Sequence, residues 1–454
     1  MTTWKKASRW ATTAICCALV PNVGQAADLV TPNEVDTAPP VQTGPAFTLG
    51  VSVVPLTFDL PDIALNATSV DGSIPSSLDG EVDGVGYAVS LGGEIGSLGG
   101  VPVFLAVGGA FATADARVGS LASLSGNGTI TFGSDPARAG DITVSTAVTP
   151  AGATATSTVS VTDAAGGTAN INQVTFSPSG ANATNNVAAS GTGGGAFAFT
   201  NVVTDGAGPS AAATGLASDG DGFLLVATGD LSGIGVSSTA TQDVDYRELE
   251  ARFFTALPIG SSGWIATPSV SPTYRYLRRD IETSAGLLLP ANPIFGTRAS
   301  VTADTSDELT AHYAGGSLGI GATGPVPGGL LLSLNADAGL LGMFADYEGT
   351  SSTNVTGIGV GTTRIASAAA SDDLDELAYF ARASVGVTRQ LGGFSISVGG
   401  QAEYLSDVPM LVRNPRVGFD PAGMAAATAG DDSVRIATDD AVILSGSLSV
   451  TMAF

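Results

Sequence analysis

Apolar and polar residues alternate with a period of two at the end of the chain. In SGSLSVTMAF, Leu448, Val450, Met452 and Phe454 fall on one side of an extended segment, and Ser447, Ser449, Thr451 and Ala453 fall on the other. Weaker alternation recurs upstream, broken by two kinds of connection: short Gly-rich ones and long Asp/Ser/Thr-rich ones. EIGSLGGVP, LPIGSSGW, GATGPVPGG and RQLGGF predict four hairpins at roughly 83 to 112, 243 to 280, 307 to 347 and 373 to 407. A lone strand near 45 to 58 and the terminal strand near 434 to 454 are left to pair with each other, which makes ten strands. Turns short on one side and long on the other mark a transmembrane β-barrel. The expected fold is therefore all-β, an antiparallel up-and-down transmembrane barrel.

The long connections then face outward, at about 59 to 80, 113 to 240, 282 to 306, 348 to 372 and 408 to 433. The second is an insert built of Ala, Gly, Ser, Thr and Asn, with Arg117 and Arg138 almost its only positive charges. STVSVTDAAGG, INQVTF, GAFAFTNVV and DGFLLVATGD inside it read as strands. Either the insert forms its own hairpins, outside or folded back into the lumen, or it hides two more barrel strands. Ten strands is the favoured count and twelve the alternative.

Composition agrees with this class. The 454 residues carry 17 Lys plus Arg against 41 Asp plus Glu, a net charge of −24, which repels nucleic acid. Only 13% of residues are charged, yet mean hydropathy is +0.32; a soluble surface is more charged than that, so apolar side chains face something other than a large core. No later stretch approaches the 18 apolar residues of a helical span. Lys5, Lys6 and Arg9, the apolar run Ala11 to Val20 and Gly24-Gln25-Ala26 read as a signal peptide over 1–26, cleaved after Ala26. A Pro-rich periplasmic lead over 27–44 follows. Cys16 and Cys17 leave with the signal, so no disulfide framework is expected.

The terminal strand resembles those of bacterial outer-membrane barrels, in which a final Phe after alternating apolar residues is the signal read by the barrel-assembly machinery. More loosely, DVDYRELEARFFTALPIGSSGWIATPSVSPTYRY and DDLDELAYFARASVGVTRQLGGFSISVGGQAEYLSDVP look like paired strands of pore-forming major outer-membrane proteins and porins. The resemblance implies an outer-membrane location, the lipid bilayer and assembly machinery as partners, and passage of small hydrophilic solutes.

Candidate chemistry lies on the inward face. Glu248, Glu250 and Arg252 share one side of their strand, and Ser269, Ser271, Thr273 and Arg275 one side of the returning strand, so hairpin pairing brings Arg275 near Glu248. Glu376 and Arg382, beside Phe380, are expected to form a similar pair, and Arg279 joins them as a lumen charge. Glu248, Glu250, Arg252, Arg275, Arg279, Glu376, Phe380 and Arg382 either line an aqueous pore or fill a narrow barrel with ion pairs. Acidic residues of the outer connections, among them Asp304, Asp307, Glu308, Asp346, Glu348, Asp372, Asp373, Asp375, Asp431 and Asp432, are expected to ring the mouth and give a weak cation preference. His312 with Asp307 or Glu308 is a catalytic candidate, but no spacing supplies a second member of a dyad or triad, and the plainer reading is a polar rim residue. Asp219 and Asp221 in SDGDG match a calcium loop in part only. No cofactor is implied. A display barrel, whose insert makes adhesive contacts, is the alternative to a diffusion pore.

Overall fold

The computed structural model describes residues 47–453 apart from 65–76, 135–142, 152–153, 163–167, 177–181, 190–194, 206–207, 219–221, 262, 292–297, 357–361, 393, 413–416, 421–426 and 429–433. The expected signal peptide, the lead and Phe454 lie outside the described residues.

Ten long strands form one antiparallel ring in strict chain order: β1 (Phe47–Asp59), β2 (Glu81–Leu98), β3 (Val101–Ser123), β4 (Gly235–Thr255), β5 (Trp264–Ala291), β6 (Arg298–Val326), β7 (Leu330–Thr356), β8 (Thr362–Leu391), β9 (Phe394–Val412) and β10 (Arg435–Ala453). The ring closes where β1 meets β10, with Thr48 opposite Ala453 and Asp59 opposite Val442. Short turns gather at one end, here the lower. Between β2 and β3 the chain reverses in two residues, Gly99 and Gly100, at φ 61° and 85°. This is the mirror-image turn whose twist matches that of the strands and whose positive φ favours glycine.

Pairing registers fix the size of the ring. A path from Arg279 crosses Val244, Ala114, Gly84, Leu56, Ser445, Gln401, Ser384, Asn335 and Gly321, and returns to β5 at Thr267, twelve residues below its start. Closure with that stagger tilts strands by roughly 40°, and the ring is wider than the eight-stranded kind that side chains just fill.

The strands run far beyond the expected hairpins, and alternation changes sign along them. On the lower half of β2, Val85, Tyr87, Val89 and Leu91 point outward and stay about half exposed (49 to 55%). Val270 and Tyr274 on β5, Leu318 and Ile320 on β6, Leu340 and Phe344 on β7, and Leu448, Val450 and Met452 on β10 extend the same exposed apolar belt. Above it, β5 turns Arg278, Asp280 and Glu282 outward and buries Leu277, Ile281, Ala285 and Leu287 inside. The outer connections expected at 113 to 240, 282 to 306 and 348 to 372 are thus partly strand: hydrogen-bonded ladders continue where the hydrophobic pattern inverts.

That inversion creates an apolar core inside the upper ring. Val244, Leu277, Ile281, Leu309, Tyr313 and Met343 pack there with Phe58 of β1, with Leu60, Ile63 and Leu78 from the first outer connection and with Val408 and Leu411 from β9. Each such side chain contributes about 1.5–3 kcal/mol on burial. Higher still, the insert closes the mouth. Asn127–Ser134, Phe223–Asp230, Gly208–Ser218, Gly195–Asp205, Asn182–Ala189 and Val417–Asp420 form a six-stranded sheet. Its Ile130, Phe132, Phe223 and Leu225 pack on inward Ala285, Leu287, Val301 and Val355 of the ring. A four-stranded sheet of Thr143–Ala151, Thr154–Thr162, Thr168–Phe176 and Ala427–Thr428 stacks on it, with Thr146 Oγ1 2.6 Å from Thr228 Oγ1. Among the described residues, no insert strand pairs with a ring strand.

At the base of the insert, Leu124 N donates to Ile234 O (2.8 Å) and Leu231 N to Gly126 O (2.9 Å). Replacing residues 127–230 with Asn-Gly, a turn that suits this spacing, is expected to leave a folded ring that keeps heat-modifiable mobility on gels. It should also bind a hydrophobic dye more strongly than the parent, because Leu287 and Val301 lose their cover; a ring that no longer folds would show the insert to be integral to it.

Candidate functional site in the lumen

Below the apolar core the lumen is polar. Ser52, Ser269, Ser271, Thr273, Ser447 and Ser449 are buried, and their hydroxyls have no hydrogen-bond partner in the protein. Each orphaned hydroxyl costs about 1–3 kcal/mol unless water reaches it. Six of them, on β1, β5 and β10, give the lower lumen, here the vestibule, a polar wall.

The vestibule ends at a charged cluster. Arg275 is fully buried and grips Glu403, itself 2% exposed, through both terminal nitrogens. Arg382 donates through Nε to Glu403 (2.7 Å), through Nη1 to Glu250 (3.0 Å) and through Nη2 to Glu248. Arg275 also stands 3.7 Å from Glu248, the neighbour that the β4–β5 register places opposite it. Nearby, Arg252 Nη2 and Asp337 Oδ1 approach to 3.6 Å. Four carboxylates against three guanidiniums leave one net negative charge.

Phe380 separates this cluster from the core above. The Arg275 guanidinium lies over its ring at 4.1 Å, a cation–π contact strengthened by the burial of both groups. Gly339 makes room for the ring: a Cβ there would come within 2.5 Å of Phe380 Cε1. One level higher, buried Arg279 makes no ion pair among the described residues. It donates instead to Pro61 O (2.9 Å), Pro409 O (3.3 Å) and Gln242 Oε1 (3.2 Å). A bulge between Leu405 and Val408, with Asp407 at φ 57°, precedes Pro409. Arg279 thereby ties the first outer connection and β9 into the lumen.

Seven of the eight expected lumen residues meet at these two levels: Glu248, Glu250, Arg252, Arg275 and Arg382 with Phe380, and Arg279 above. Glu376 does not. Six residues of extended chain separate it from Arg382, about 20 Å at strand rise, so the expected pair cannot form; its exposed carboxylate accepts from Thr438 at 3.3 Å. The acidic mouth is also corrected. Asp304, Glu308, Asp346, Glu348, Asp373 and Asp375 lie on outward positions of the ring wall, Asp307 accepts from Tyr347 Oη inside it (2.9 Å), and Asp372 accepts from Ile436 N (2.8 Å). His312 faces outward at the edge of the belt, where Nδ1 lies 2.8 Å from Tyr274 Oη. Glu308 is held by Arg278 at 3.0 Å, so neither expected acid partners the histidine. Asp219, Asp221, Asp431 and Asp432 lie outside the described residues. Leu448, Val450 and Met452 form the outward face of β10.

Glu403 and Asp337 escaped the sequence reading. Glu403 does continue the inward series Ser395, Ser397, Gly399, Gln401, which is the signal that could have found it.

No family model matches the chain, and no curated protein does. Solved structures with some likeness include a Pseudomonas aeruginosa FadL homologue (9% identity, 90% of each chain, TM-score 0.18). TodX, a monoaromatic hydrocarbon channel crystallised as the deltaS2 mutant (8%, 90% of each chain, 0.17), and the Ralstonia pickettii toluene transporter TbuX (11%, 90% of each chain, 0.13) are others. Overlaps this slight carry no argument; the reading below rests on the ring and its lumen.

Removing one partner from a buried charge network strands the others at a cost of about 3–5 kcal/mol. Arg382→Met is therefore expected to lower stability against guanidinium by about that much in detergent, while Glu376→Gln, at an exposed carboxylate, stays within about 0.5 kcal/mol of the parent.

Proposed function

We propose that the protein is an outer-membrane β-barrel, a channel for small hydrophilic solutes that is shut in the conformation described. The inversion of alternation carries this reading. Below it, apolar residues point out and hydroxyls point in, as a lipid-embedded wall around water requires; above it, polar residues point out, as in a wall standing in water. The apolar stretch of each strand approximates the 9–11 tilted residues that cross a bilayer. Leu448, Val450, Met452 and Phe454 suit the signal read by a barrel-assembly machinery, so that machinery is the partner in biogenesis. The vestibule would admit solutes from the periplasmic end as far as the Arg275, Arg382 and Glu403 cluster. The net negative charge there supports a modest preference for cations.

The apolar core and the insert sheet favour a second reading, a sealed barrel that displays the insert. Planar-bilayer conductance separates the two. Arg279→Ala frees the Pro61 and Pro409 carbonyls and should raise the frequency of channel openings at least several-fold over the parent, with a reversal potential under a KCl gradient on the cation side. Silence in the parent, in Arg279→Ala and in the variant lacking the insert would remove the channel and leave the display barrel.

A further inference from the structure

One pair in the vestibule is not used to bind the cluster together. Arg252 Nη2 and Asp337 Oδ1 are both buried and both lack a hydrogen-bond partner; their separation of 3.6 Å is too long for a hydrogen bond. The Asp337 side chain is 9% exposed. Both groups line a cavity of about 150 Å³, together with Asn335, Ser384, Gln401 and Glu250. Gly319 allows the carboxylate its place, since a Cβ there would fall 1.9 Å from Asp337 Oδ1. The two groups face each other as an ion pair without a hydrogen bond, so hydrogen-bonding capacity of both charges is left unused.

From this juxtaposition we infer that the vestibule holds a binding subsite for a small zwitterion of the α-amino-acid kind. The ligand's carboxylate accepts from Arg252, and its ammonium donates to Asp337. An α-amino acid sets its two charged groups one carbon apart, the spacing that two adjacent, oppositely charged side chains complement. The cavity has room for about five waters, so a solute of six or so heavy atoms enters by displacing most of them. A plain anion would draw Arg252 from Asp337 and give that carboxylate nothing in return, and a plain cation would do the same to Arg252. Selectivity thus comes from the group left unsatisfied as much as from the one engaged. This assignment rests on the channel reading and names the solute class of the same lumen.

The test is binding of L-alanine to the detergent-solubilised full chain, followed by titration calorimetry, with propionate and n-propylamine as single-charge probes. Binding is independent of conduction, so the two proposals fail separately. Saturable alanine binding at least tenfold tighter than either probe is expected. Asp337→Asn and Arg252→Gln should each weaken it about tenfold or more, while Arg252→Lys retains part of the affinity and gel mobility shows each variant to be folded. Propylamine or propionate binding as tightly as alanine, alanine binding unchanged in both Asp337→Asn and Arg252→Gln, or no saturable binding by the parent would overturn the subsite. Alanine binding of the expected kind by a protein that never conducts would keep the subsite and remove the channel.

Discussion

A closed sheet of ten strands with a stagger of twelve encloses more space than ordinary side chains fill, and everything inside this protein answers that excess. Closure itself is obligatory, because an open edge in lipid leaves a row of backbone groups unpaired. Once the first strand has met the last, the lumen must be filled, wetted or both. The chain does each at a different height. Small hydroxylic residues line the bottom, paired charges occupy the middle, and apolar side chains from the wall and two folded-in segments fill the top.

The charged middle layer follows from its neighbours on either side. Arg275 and Arg382 reach across the lumen to Glu403, Glu248 and Glu250, spanning a width that no single aliphatic residue bridges. Such a network gains little over an apolar filling of the same volume, but it can face water on one side and a hydrophobic core on the other. Phe380 provides the second surface, with the Arg275 guanidinium on its face. Arg279 lies at the level of that core and binds backbone carbonyls, tying the first outer connection and β9 into the lumen.

Neighbours in the ladder were legible in the sequence; neighbours across the lumen were not. Period-two alternation and Gly-rich turns located the four hairpins of the ring, and hairpin pairing brought Arg275 near Glu248, which stands directly opposite it. Contacts such as Arg275 with Glu403, 128 residues apart, depend on ring order and stagger, which no local pattern encodes. The strands were read too short for a related reason. Alternation was followed only while apolar residues faced out, and at Leu277 or Val244 the same period continues with the faces exchanged. A search for period two without regard to phase would have followed β5 through Leu287. The Glu376 and Arg382 pairing failed on simple distance along one strand.

The central claim is that water fills the lumen up to the charged layer and stops there. Its most direct measurement uses the fact that the sequence has only Cys16 and Cys17, both in the expected signal peptide. Single cysteines at Ser449, below the cluster, and at Ile281, above it, would be exposed in intact liposomes to a charged, membrane-impermeant thiol reagent present on both sides. The account predicts rapid labelling at position 449 and labelling slower by at least a hundredfold at 281. Equal rates at the two positions would contradict it.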